Sequence, residues 1–186
     1  MTVVGGGLVA LALLGPTSSW IAAIAAVLWW VPVVIVVRAD LDRYIIPDFA
    51  TLSIAGLGLI YVGANAGVEA SEAADVGWAL AVAATTGAAA FALFWLVGEG
   101  HRAWSGRDGL GFGDVKLAAA SAVWLSPGDA VVALEIAALG ALGLALVTRR
   151  GAPPAREAAI PFGAFLAPAA WLVFVAGPGV QMLIDR

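Results

Sequence analysis

There is no cysteine in the chain and only one histidine. The first absence removes disulfides, thiolate zinc sites and cysteine nucleophiles, and leaves the redox compartment unreadable. Charge is scarce too: Asp, Glu, Lys and Arg make up 12% of the 186 residues, against about a quarter in an average soluble domain. The nine Lys and Arg residues are scattered, the net charge is −4 and the pI is near 4.7, so the clustered basic surface that nucleic acid attracts is missing. What is plentiful is apolar surface, with 62% hydrophobic residues and a mean hydropathy of +0.99. A membrane-crossing helix needs about 20 mostly apolar residues. The chain therefore has room for six or seven membrane segments and little else, and the expected fold class is all-α: a polytopic transmembrane helix bundle in a lipid bilayer. A single domain over residues 1–186 is expected.

Apolar runs between polar breaks place segments near residues 3–15, 19–38, 49–66, 76–98, 114–126, 129–148 and 160–181. The first is short, lacks the basic start of a signal peptide and reads as a marginal span, tilted or half-inserted. The fifth is also short, and Pro127-Gly128 marks the turn that separates it from the sixth. Basic residues give the orientation, because Lys and Arg in short loops are retained on the cytoplasmic side. Arg38 and Arg43 follow the second run, His101, Arg102 and Arg107 the fourth, and Arg149, Arg150 and Arg156 the sixth. The intervening loops carry Glu69, Glu72 and Asp75, or Asp129, and no base. That alternation supports the number of spans independently of hydropathy. Trp20, Trp78 and Trp104 lie near run ends, as interfacial tryptophans do, whereas Trp29, Trp30, Trp95, Trp124 and Trp171 suit packing equally well.

An acid at membrane depth is costly and so is a functional candidate. Asp40, Asp114 and Glu135 qualify. Asp40 closes the second run in VVRADLDRYIIPDFATL, at the expected cytoplasmic edge, where it could also be a solvated helix end. Asp42 and Arg43 suit ordinary loop charges, and Asp48 after Pro47 suits a cap for the helix starting near Phe49. Asp114 follows glycines 109, 111 and 113 in GLGFGDVKL and opens the fifth run on the same face as Asp40. On its own it suits a first-turn acid favoured by the helix dipole. A phosphate loop fits poorly, since the glycines follow no strand and Lys116 is not in a GK[ST] context.

The two acids together say more than either alone. Carboxylates a few ångströms apart cannot both ionise easily, so they share a proton and titrate as one unit. That is the chemistry of an aspartic protease: one carboxylate takes a proton from the attacking water, while the other polarises the scissile carbonyl and supplies the leaving amine. Glycines beside such a pair would let a substrate backbone approach closely and open conformations closed to other residues.

These residues resemble the motifs of the prepilin peptidases, membrane aspartyl proteases of the GxGD group. DLDRYIIPD at 40–48 resembles the family's first motif, GFGDVKL at 111–117 its GxGD box with a following Lys, and IPFGAFLAPAAW at 160–171 the opening of its last helix. The resemblance runs over almost the whole chain and implies Asp40 and Asp114 as the catalytic acids. It further implies Gly111 and Gly113 as shaping the active-site loop, with Lys116, Pro47 and Asp48 as further motif positions. The implied activity is removal of a short basic leader ending in Gly from a type IV prepilin or pseudopilin precursor. Cleavage would fall on the cytoplasmic side of the inner (plasma) membrane. Larger members carry paired CxxC motifs that bind zinc, and they also N-methylate the product; with no cysteine, this chain resembles a short form with the peptidase core, no metal site and no cofactor.

Other readings stay open. Presenilin-type proteases also use GxGD, but with a Tyr-Asp first motif, where this chain has Ala39-Asp40, and a Pro-Ala-Leu motif whose nearest match here is Ala167-Pro168-Ala169. Archaeal preflagellin peptidases are not separated by motif. A small proton-coupled transporter would use Asp40, Asp114 and Glu135 as a path and would want them near the midplane. Glu135, in AVVALEIAALG, matches no motif and reads as protonated or paired in the bundle, and His101 reads as a solvated loop residue.

Overall fold

Two residues in the left-handed backbone region end two of the helices. The N–H of Tyr44, at φ 55°, donates to Asp40 O at 2.9 Å, and that of Gly106, at φ 69°, donates to Arg102 O at 2.9 Å. Both make the single hydrogen bond that closes an α-helix through a left-handed residue. Glycine does so without strain, whereas a tyrosine gives up about 1–2 kcal/mol. Starts are equally local. Pro47 O accepts from the N–H groups of Ala50 and Thr51 at 3.1 and 3.2 Å. Ser126 caps the helix that Pro127 opens: its Oγ accepts from the Asp129 N–H at 3.2 Å and donates to Asp129 Oδ2 at 2.7 Å, and the missing proline N–H costs nothing there.

The computed structural model describes residues 20–69, 73–106, 109–148 and 160–184, and all regular structure among them is α-helical. The helices are α1 (Trp20–Arg43), α2 (Asp48–Glu69), α3 (Ala73–Ser105), α4 (Phe112–Ala122), α5 (Pro127–Thr148) and α6 (Gly163–Ile184). Four of them, α1, α2, α3 and α5, are long and apolar enough to cross a membrane, and α6 adds a shorter apolar stretch at Gly163–Gly177. The expected helical membrane bundle is what is found. The run at 3–15, Arg107 and the basic residues 149, 150 and 156 lie outside the described residues.

Packing neighbours run α3, α2, α1, α6, α5 in an arc, with α4 inside it against α2, α3 and α6. At 11 residues, or about 16 Å, α4 is too short to span. It ends in a turn at Val123–Leu125, and Trp124 fills the middle of the bundle. Its ring stacks on Trp29 at 4.2 Å and on Tyr61 at 5.5 Å, and its Nε1–H donates to Ile54 O at 2.8 Å. Phe174 of α6 meets Trp29, Tyr61 and Trp124 edge-on. Trp171 donates to Ala26 O at 2.8 Å, tying α6 to α1. The tryptophans divide much as their positions suggest: Trp20, Trp78 and Trp104 are exposed, and Trp29, Trp30, Trp124 and Trp171 are buried. Trp95 is the exception, facing outward from α3. The helix ends differ from the apolar runs, since α3 continues to Ser105 and carries His101 and Arg102 on its last turns rather than in a loop.

Candidate active site

Asp40 lies in the last turn of α1 and is only 5% exposed, so it is not a solvated helix end. Its Oδ2 accepts the Ala164 N–H at 2.8 Å, and the Gly163 N–H also reaches the carboxylate. Those are the first two residues of α6, and their N–H groups have no carbonyl partner within their own helix. Partial positive charge at a helix start favours a carboxylate there. Asp40 and Ala164 are 124 positions apart, so the IPFG stretch that closes the site is far from Asp40 in sequence. Sequence reasoning noticed IPFG but gave Gly163 no role.

Asp114 occupies the third position of α4, whose N-cap is Gly111. Its carboxylate reaches back to the Gly111 N–H, as an acid at that position does in a capping box, and also accepts from Gly163. Its Oδ1 is buried and makes no hydrogen bond among the described residues. The structure thus brings Asp40 and Asp114 together, with the Gly163 N–H within reach of both.

The glycines are needed for space. Gly111 has φ −68° and ψ 140° and Gly113 is helical, conformations open to any residue, so the expected backbone freedom is not used. A Cβ on Gly111 would lie 3.1 Å from Asp114 Oδ2, and one on Gly113 3.2 Å from Ile46 Cβ. On Gly163 it would meet Ile46 Cδ1 at 2.6 Å and Asp40 Oδ2 at 3.1 Å. Ile46, 7% exposed, is therefore a wedge between the GxGD turn and the start of α6. It sits inside the first motif, yet nothing in its spacing distinguished it from the neighbouring Ile45, which is 63% exposed.

A cavity of about 360 Å³ opens over the pair, lined by Asp40, Tyr44, Ile46, Gly111, Phe112 and Asp114, with Asp48 and Lys116 at its edge. Asp48 is the first residue of α2 rather than a cap before it, and its carboxylate pairs with Lys116 Nζ across to α4. Pro47 starts that helix. Lys116 also lies over the Phe112 ring, 5.3 Å from its centroid. Glu135 is exposed on α5 and does not line the cavity, and His101 packs against Gly109 without lining it. Among the described residues, no cluster of three or more His, Asp or Glu could hold a metal ion.

The family model of the type IV leader peptidase family matches residues 25–146, a stretch that includes both aspartates. The prepilin leader peptidase/N-methyltransferase of Aeromonas salmonicida (strain A449) is 29% identical over 166 residues, 88% of this chain and 53% of its own. That of Aeromonas hydrophila is 30% identical over 163 residues, covering 87% and 52%. That of Neisseria gonorrhoeae is 28% identical over 146 residues, covering 78% and 46%. The chain thus spans about half the length of the curated relatives it matches. No solved structure matches it. With the family model covering most of the chain and the motif residues converging on one cavity, the chain belongs to the type IV leader peptidase family.

Proposed function

We propose that the chain is a single-domain membrane aspartyl endopeptidase that removes the short basic leader of type IV prepilin-like precursors after a Gly, on the cytoplasmic side of the inner membrane. The observation that carries this is the convergence of Asp40 and Asp114 on one cavity, joined by the Gly163 N–H. Two carboxylates so placed hold one proton between them. The ionised member takes a proton from a water whose oxygen attacks the scissile carbonyl carbon, and the protonated member hydrogen-bonds the carbonyl oxygen. Collapse of the tetrahedral adduct breaks the C–N bond, the amine leaves with a proton from the dyad, and the pair again carries one proton.

The surroundings support this reading. Arg38, Arg43 and Arg102 lie near the helix ends on the aspartate side, as bases do on the cytoplasmic face. The transporter reading loses its third acid, since Glu135 stands apart from the pair. Gly111 and Gly113 keep the turn tight, and Lys116 with Asp48 fixes α4 against α2.

The test is to place the purified chain in liposomes with a synthetic precursor: a basic leader ending in Gly, followed by an apolar helix of about 20 residues. Mass spectrometry should find a single cut after that Gly. An intact precursor, or cleavage within the apolar helix, would contradict the proposal.

A further inference from the structure

The aspartate cavity adjoins a second, apolar space, the two sharing Asp48 and Lys116. Near Gly63 and Leu80 the helices α2 and α3 touch, a Cβ on Gly63 lying 3.7 Å from Leu80 Cδ2. Closer to the aspartates a groove of about 450 Å³ runs between them, walled by Leu52, Ala55, Ala84, Ala88 and Phe91 and floored by Ala119 of α4. It ends at Asp48 and Lys116, the same ion pair that edges the aspartate cavity. At that junction Phe91 of the groove meets Phe112 of the cavity edge-on, ring centroids 6.1 Å apart.

We infer that this groove seats the apolar helix of the substrate and delivers the adjoining peptide bond to Asp40 and Asp114. The inference rests on the peptidase reading and adds where on this chain the substrate's apolar helix lies. Lipid chains are as apolar as the groove, so helix docking there depends on close packing against small side chains rather than on hydrophobicity. Ala55, Ala84, Ala88 and Ala119 supply such a surface. A second apolar groove, between α3 and α5, passes Leu93, Val131 and Leu134 and reaches Leu110 and Phe162, but it shares no lining residue with the aspartate cavity. The shared pair Asp48 and Lys116 selects the first groove over the second.

A photo-crosslinking benzoylphenylalanine is placed at position 88, or at 131 in the other groove, in an Asp114→Asn chain mixed with the synthetic precursor. Crosslinks from 88 to the precursor's apolar helix, without crosslinks from 131, are expected. Crosslinks from 131 alone, or from 88 only to this chain, a second copy or lipid, would overturn the inference. In the otherwise unchanged chain, Ala88→Trp should lower processing about tenfold while Val131→Trp changes it less than about twofold. Equal processing by both variants would also overturn it. The crosslinking needs no cleavage, so a chain that binds the precursor in the groove and does not cut it would refute the peptidase reading and leave the groove standing.

Discussion

Ile46 and Gly163 show how little room the dyad has. A Cβ on Gly163 would lie against both the methyl end of Ile46 and the Asp40 carboxylate, so a methyl group there displaces one or the other. Gly163→Ala should lower cleavage by about tenfold or more, since a shift of about 1 Å at a catalytic group can cost on the order of a hundredfold. If the cause is steric, Ile46→Val in the same chain removes the opposing Cδ1 and restores part of the loss in the liposome assay; no recovery would contradict the explanation. Glu135→Gln, on the exposed face of α5, should keep most activity. The acids and the two glycines of GxGD were legible because they recur at fixed spacing near apolar runs. Ile46 and Gly163 were not, because their importance is contact between segments more than 100 residues apart, which no local pattern records.

The short helix α4 is held at both ends. At its start Lys116 reaches Asp48 of α2, a pair in which Asp48 is 71% exposed and Lys116 29%. Such a pair contributes only about 0–1 kcal/mol. Lys116→Met should therefore leave thermal stability in detergent almost unchanged while reducing cleavage severalfold, because the pair fixes the helix that carries Asp114. A large drop in melting temperature would show that it acts on folding instead. At its far end Trp124 joins α4 to α1, α2 and α6, and Trp124→Ala should cost about 3–5 kcal/mol, read as a lower melting temperature. The break at Pro127 was readable from its turn chemistry. The true ends of α1 and α3 were not, since helical hydrogen bonding continues through Asp42, Arg43, Glu99 and Arg102 after the apolar pattern stops.

Taken together the helices make a recess. Gly98 of α3 lies beside Leu110 of the GxGD loop, and Gly140 of α5 beside Phe165. Both helices run on from there, to Ser105 and Thr148, by about 10 Å each. The exposed residues on that part of α5 include Leu142, Leu146 and Val147. Hydropathy could count segments and read the fifth as short, but it could not show that α4 lies inside the arc of the others, because an apolar run reads the same whether it spans or fills a core. Since the chain has no cysteine, orientation can be read cleanly from single introduced cysteines. One at Ser105 should be labelled only from the cytoplasmic side and one at Gly128 only from the other, and the reverse would invert the proposed topology. The central claim, that Asp40 and Asp114 act as one catalytic unit, is tested most directly by comparing the wild type, Asp40→Asn and Asp114→Asn on the same precursor in liposomes. Both variants should insert normally and cleave nothing detectable, whereas appreciable cleavage by either one would contradict the two-aspartate mechanism.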